Sequence, residues 1–203
     1  MARVIAYIDG FNLYFGLKSS GWQRYLWLNV QALAGNLLKP DQALAHTKYF
    51  TSRVGAPADK AKRQSTYLDA LQTLSDLSIV YGRYQVNPFT CRHCGHVHPI
   101  PNEKMTDVNI AVDLMQDAFQ DRFESALLLS ADSDLVGPVL AVQRLFPSKR
   151  VIVACPPNRY SANLCNAASA SFKIGRASIS KSLLPETIPT ASGFVLTQPQ
   201  SWK

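Results

Sequence analysis

No apolar run in these 203 residues approaches the ~20 that a membrane-spanning helix needs. Internal repeats and low-complexity tracts are equally missing, which removes repeat architectures and disordered linkers from consideration. Cysteine is scarce: four in a chain this long do not make a disulfide framework. Met1-Ala2-Arg3 runs straight into a strand-like stretch without a signal-peptide pattern, so the expectation is a reduced, cytoplasmic protein with no membrane partner. Neither a Gly-x-Gly-x-x-Gly after the first strand nor a Gly-Lys-Ser/Thr loop occurs. Dinucleotide binding and P-loop chemistry therefore lose their main signatures.

What is present is the composition of a globular domain, 47% hydrophobic and 17% charged, long enough for one sizeable core with decorations. The net charge of +7 and pI near 9.3 make polyanions reasonable partners. Charge is also segregated. Between Glu103 and Asp134 there are eight acids against two bases, a net of −6 that leaves +13 for the remainder. An acidic centre on a basic body suits a metal site acting on a phosphodiester; a solvated acidic helix gives the same totals.

The chain alternates between strand and helix patterns. Arg3 to Ile8 reads as a short buried strand, followed at once by Asp9-Gly10-Phe11-Asn12 and a helix over Leu13 to Lys18. Trp22, Tyr25 and Trp27, with Arg24 among them, are rings on which bases stack or, more commonly, core aromatics. Asn29 caps a helix through Leu38, stopped by Pro40. A strand near His46 to Phe50 leads to Thr51-Ser52-Arg53. A helix over Asp59 to Ser75 follows, with Tyr67, Leu68, Leu71 and Leu74 on one face. Arg53, Lys60 and Arg63 are candidate phosphate contacts; a solvated basic turn is the alternative.

Ser78 to Val86 alternates as a strand, and residues 87–102 read as a loop rich in Pro, Cys and His. Cys91 and Cys94 form a Cys-x-x-Cys half-site for zinc that His96 or His98 would complete. No second Cys-x-x-Cys or His-x-x-x-His accompanies it, so an unmetallated hairpin, or a site completed by another chain, stays open. Lys104 to Phe119 is a strong helix with Ile110, Leu114 and Ala118 on one face and Asp107 near its start. Asp113, Asp117 and Asp121 recur as a solvated stripe, with Asp113 at the rim of the site. After Leu127 to Leu129, Ser130-Ala131-Asp132-Ser133-Asp134 puts two carboxylates at the carboxyl end of a buried strand, where open α/β sheets bind ligands. Helix (135–146), strand (151–155), helix (161–170) and strand (171–174) complete the pattern, with Cys155 and Cys165 as buried, inert thiols. Beyond Gly175 the chain turns polar, and beyond Pro185 it reads as an extended tail packed on the body or on a partner.

This alternation predicts an α/β fold with a mostly parallel central sheet and helices on both faces. The acids best placed to converge are Asp9, Asp107, Asp132 and Asp134. Carboxylates that close repel one another unless a cation or proton lies between them, and a hard divalent ion such as Mg²⁺ or Mn²⁺ is the simplest partner. Asp9 and Asp132 as turn or helix caps are the plain alternative.

At these residues the chain resembles the NYN domain family, a branch of the PIN-like nucleases. The motifs are Tyr7-Ile8-Asp9-Gly10-Phe11-Asn12, Lys104-Met105-Thr106-Asp107-Val108 and Ser130-Ala131-Asp132-Ser133-Asp134-Leu135, within about residues 3 to 175. The resemblance implies a Rossmann-like, three-layer α/β/α PIN-like fold and Mg²⁺- or Mn²⁺-dependent cleavage of RNA. It assigns Asp9, Asp107, Asp132 and Asp134 as catalytic metal ligands, with Asn12 and Ser130 as polar support. The expected organisation is a nuclease domain over 1–175 with a Cys/His-rich insertion at 87–102, then a C-terminal extension over 176–203. Arg53, Lys60, Arg63, Lys104 and Arg159 are the expected RNA-backbone contacts, and a homodimer is left open. A nucleic-acid-binding module that kept the fold and lost turnover is the alternative function. A phosphatase with Asp9 as nucleophile fits less well, because Phe11 stands where a second acid is needed.

Overall fold

The computed structural model describes residues 1–190 and 193–203; for residues 84–87 and 98–103 it describes strand pairing only. In chain order the elements are β1 (Ala2–Asp9), α1 (Gly10–Ser19), α2 (Val30–Asn36), β2 (Gln42–Thr51), α3 (Ala58–Leu71), β3 (Leu77–Tyr81), β4 (Arg83–Thr90), β5 (Val97–Lys104) and α4 (Thr106–Phe119). They continue as β6 (Ser125–Leu129), α5 (Val136–Leu145), β7 (Arg150–Cys155), α6 (Ala162–Ala167), β8 (Ala170–Lys173), α7 (Arg176–Ser180), β9 (Thr187–Pro189) and β10 (Val195–Thr197). Six strands make one sheet in the order β3-β2-β1-β6-β7-β8, every pairing parallel. Among the described residues, no helix is long and apolar enough to cross a membrane.

β1 lies near the middle of the sheet and is buried from Val4 to Asp9, so its side chains alternate between two cores. Val4, Ala6 and Ile8 face the layer of α1, α2 and α3, with Leu13, Leu33, Leu68 and Leu71. Ile5 and Tyr7 face α4, α5 and α6, with Ile110, Leu114, Val139 and Leu164. Three layers follow from that alternation, as the sequence pattern predicts.

Four readings change. The Ser78–Val86 segment is two strands, because the chain leaves the sheet at Gly82. A Cβ there would lie 2.7 Å from the Lys104 carbonyl, the Ser52 hydroxyl and the Thr106 hydroxyl, so only glycine passes that crowded point. Residues 87–102, expected as a loop, belong to an antiparallel hairpin in which Arg83–Thr90 pairs with Val97–Lys104. The tail is not simply extended. It forms α7, the β9/β10 hairpin and a terminal 3₁₀ turn, and it buries Ile179, Leu184, Ile188, Leu196 and Trp202 in the core of the α1 face.

The fourth change concerns Asp117, which is fully buried instead of solvated. It accepts hydrogen bonds from the Tyr7 hydroxyl at 2.6 Å and Arg122 at 3.1 Å, and it pairs with Lys48 at 2.7 Å. Lys48 also reaches Asp113 at 3.1 Å. Of the predicted stripe only Asp121 is exposed, and it is paired with Lys149. The aromatic cluster resolves as core: Trp27 and Tyr25 are buried, and the Trp27 indole N–H donates to the Pro185 carbonyl at 2.7 Å. Cys155 is buried, its thiol pushed up to about 12 by burial and then by half-buried Cys165, 3.4 Å away.

Candidate active site

The site is built where strands of the parallel sheet end. β1 closes with Asp9, which is only 4% exposed. One carboxylate oxygen accepts the Asn12 backbone N–H at 2.9 Å and so caps α1. The other accepts the Ser130 hydroxyl at 2.9 Å, across 121 residues of sequence. Ser130 follows β6, the strand paired beside β1. Its hydroxyl oxygen also accepts the Asp132 N–H at 3.1 Å, and the Asn12 side-chain carbonyl accepts the Ala131 N–H at 3.3 Å. Asn12 and Ser130 thus fasten the ends of two neighbouring strands together and fix the direction of Asp9.

Asp132 caps the 3₁₀ turn over Ser133–Leu135 through the Asp134 N–H at 3.0 Å. The capping alternative is therefore realised at both Asp9 and Asp132. It occupies one oxygen of each and leaves further lone pairs on both carboxylates. Asp107, in the first turn of α4, approaches from the opposite side of the sheet. The residue before α4, Met105, adopts a left-handed conformation (φ 76°), a costly backbone for a side chain of that shape that sets where α4 begins. Half-buried Asp107 titrates above the usual carboxylate range, first because burial disfavours its charge and then because Asp132 and Asp134 repel it. Asp132 and Asp134 thus act on Asp107, and Asp9 is bonded through Ser130 to the loop that carries them. Among the described residues, no three His, Cys, Asp or Glu side chains close around one point as a ready metal cage.

The basic candidates also follow strand ends. Exposed Arg53, after β2, donates to the Tyr81 hydroxyl at 3.2 Å and lies over its ring. Lys60 and Arg63 stand at the start of α3, Arg63 paired with Asp59 at 2.7 Å. Lys104 is exposed at the end of β5, and exposed Arg159, after β7, lies 6.0 Å over Phe15 of α1. The Cys/His turn is apart from this edge, at the tip of the β4/β5 hairpin. Cys91 and Cys94 are free thiols there. The Cys91 thiol is lowered by backbone hydrogen bonds from Cys94 and His93, and next by the Cys94 side chain. The side chain of His98 lies outside the described residues.

Sequence reading missed the cavity beside this edge, lined by Gly10, Phe11, Tyr49, Tyr67 and Trp202 among others. Its walls come from α1, β2, α3 and the last residues of the chain, so no local spacing announces it. A Cβ on Gly10 would stand 2.6 Å from the Tyr49 ring, which explains why glycine follows Asp9 better than the turn alone does.

Comparison with known proteins agrees with this architecture. The chain is 25% identical over 239 aligned positions to 6-hydroxy-3-succinoylpyridine 3-monooxygenase HspA of Pseudomonas putida (strain DSM 28022 / S16), covering 98% of this chain and 75% of that protein. It also matches the crystal structure of a protein of unknown function from Vibrio parahaemolyticus RIMD 2210633. That likeness has a TM-score of 0.56 and 17% identity, covering 90% of this chain and 96% of the other, and is one of fold. The NYN domain family model matches residues 3–175, nearly the whole chain, and the protein belongs to the NYN domain family.

Proposed function

We propose that this protein is a metal-dependent ribonuclease whose site is the cluster of Asp9, Asp107, Asp132 and Asp134. The observation that carries the reading is the joining of two strand ends, where Ser130 and the Asn12 N–H hold Asp9 beside the Asp132 loop, with burial and then Asp132 and Asp134 raising the carboxyl of Asp107. Like charges held together at a strand edge cost stability and mark functional sites more often than structural ones. The donor set fits the ion: every candidate ligand is a hard carboxylate oxygen, with no thiol or imidazole among them. When bound there, Mg²⁺ or Mn²⁺ supplies a water of lowered pKa and offsets charge on a phosphodiester.

The chain's own residues do the rest. Ser130 and Asn12 hold Asp9 and the 130–134 loop in one orientation, which limits the reorganisation left for the reaction. At Asp107, burial and then the neighbouring Asp132 and Asp134 favour the neutral form. Arg53, Lys104 and Arg159 grip the RNA backbone on either side, a sequence-independent contact.

The test is cleavage of labelled single-stranded RNA in Mn²⁺, with EDTA and the Asp132→Asn/Asp134→Asn double variant as controls. Loss of cleavage in both controls is expected, by two or more orders of magnitude in rate. Equal cleavage in all three samples assigns the activity to a contaminant. Binding without cleavage, unaffected by Asp132→Asn, leaves a nucleic-acid-binding module instead.

The similarity to a monooxygenase over nearly the full chain favours a second reading, oxidation of a hydroxypyridine. Its test is consumption of 6-hydroxy-3-succinoylpyridine under O₂ with an external two-electron donor, against an anaerobic control. No turnover there, alongside Mn²⁺-dependent RNA cleavage, decides for the nuclease.

A further inference from the structure

We infer that the cavity beside the strand edge is a binding site for one planar aromatic ring carrying an anionic group. The cavity holds about 290 Å³, at the small end of ligand sites, which run roughly 300–1,000 Å³. That volume admits a single ring with a short arm. Its walls are ring-rich, with Phe11, Tyr14 and Phe15 from α1, Tyr49 from β2, Tyr67 from α3, and Trp202 from the C-terminal turn. These rings brace one another: Tyr49 meets Tyr67 edge-on at 6.2 Å, and Tyr67 meets Trp202 edge-on at 5.9 Å. A braced aromatic wall offers π-faces and edges to an incoming ring at little entropic cost.

The polar groups at the cavity give the sign of the ligand's charge. Two cations, Lys60 and Arg63, line it, and among the described lining residues there is no carboxylate. Two other polar side chains of the lining, Gln64 and Tyr67, already serve the fold. The Gln64 amide spans the β2–α3 connection, donating to the Ser52 carbonyl at 2.9 Å and accepting the Val54 N–H at 2.7 Å. The Tyr67 hydroxyl donates to the Leu28 carbonyl at 2.8 Å. Arg63 is bonded to Asp59 through one terminal nitrogen, which leaves its other donors. Lys60 has no ion pair or side-chain hydrogen bond among the described residues. Aromatic rings, the Lys60 ammonium and the remaining donors of the Arg63 guanidinium are what the cavity presents to an occupant. Gly10 lines it and directly follows Asp9, so an occupant sits beside the candidate active site.

Two sources share this chemistry: the base and phosphate of a nucleotide, or a free aromatic carboxylate. The inference rests on the cavity and not on the hydrolytic reading, and its test is run in EDTA so that cleavage plays no part. The full chain is titrated, by ligand-observed NMR and by calorimetry, with the four 5′-ribonucleotides in one arm and with benzoate and nicotinate in the other. Uncharged nucleosides and inorganic phosphate are controls. Saturable binding in either arm is expected, with the matched control weaker by about tenfold because ring and charge each contribute. Preference between the arms identifies the source. Lys60→Glu, at an exposed position, is expected to weaken binding about tenfold, and Ala56→Phe at the exposed rim to weaken it by filling the mouth. Circular dichroism verifies that both variants fold. Absence of saturation in both arms at millimolar ligand, or equal affinity in wild type and both variants, overturns the inference, whatever the RNA assay shows.

Discussion

At Asp107 the interests of fold and function separate. Burial and the charges of Asp132 and Asp134 raise its carboxyl above the usual range. A raised carboxyl in the folded chain holds its proton more tightly than in the unfolded one. Its contribution therefore favours folding at low pH and turns against it as the pH climbs past the unfolded value of about 3.9. Asp107→Asn is expected to raise the melting temperature of the metal-free protein at pH 7 and to leave it nearly unchanged at pH 3, while RNA cleavage is lost. Thermal unfolding in EDTA at the two pH values measures this. A lower melting temperature at pH 7 would make Asp107 a structural acid. Gly10 carries the opposite expectation. A Cβ there sits 2.6 Å from the Tyr49 ring and 2.8 Å from the Phe50 carbonyl, and a backbone oxygen cannot step aside. Gly10→Ala should cost about 1–3 kcal/mol in urea unfolding.

Between elements, the tie that matters most for stability joins α4 to the centre of the sheet. Asp117 on α4 takes the Tyr7 hydroxyl from β1 and the Lys48 ammonium from β2, with Arg122 closing the set. Removing the carboxylate leaves Lys48, 13% exposed at its side chain, without its main partner. Asp117→Ala should cost about 3–5 kcal/mol, and Asp113→Ala about 1 kcal/mol or less, its pair being more solvated. Urea titration of both variants separates them; equal losses would mean that Lys48 is shared evenly. This network also shows what the sequence hides. The spacing of Asp113, Asp117 and Asp121 is that of a solvent-facing stripe, and the cation that buries Asp117 lies on a strand some seventy residues away. Contributions confined to one segment were legible. The buried apolar run of β1, the caps at Asp9 and Asn29, and the start of α4 near Asp107 all follow from local pattern. That the ends of β1 and β6 can be neighbours in one parallel sheet was legible from α/β alternation, whereas the order of the six strands was not. The break at Gly82 was not legible, because it is imposed by Ser52, Lys104 and Thr106 from three other stretches. The aromatic cavity was hidden for the same reason.

Along the sequence, charge is divided between an acidic segment and a basic remainder. The segment from Glu103 to Asp134 carries −6 and the remainder +13. Arg53, Lys60, Arg63 and Arg159 lie after the ends of sheet strands or at the start of the helix that follows, and Lys104 is the last residue of β5. A surface of this kind attracts a polyanion over a distance and holds it by release of counterions, while the bare acids repel it. The logarithm of the affinity of the cleavage-deficient Asp132→Asn/Asp134→Asn protein for single-stranded RNA should therefore fall linearly with log salt. Each phosphate contact contributes a slope of about −0.7, so engagement of all five cations gives about −3.5. Neutralising Arg53 or Arg159 singly should flatten that slope by about 0.7 and weaken binding alike for different sequences. Fluorescence anisotropy between low and physiological salt measures both quantities. A slope near −1, unmoved by either substitution, would make the five cations a solvated rim and leave the acidic edge without a nucleic-acid track leading into it.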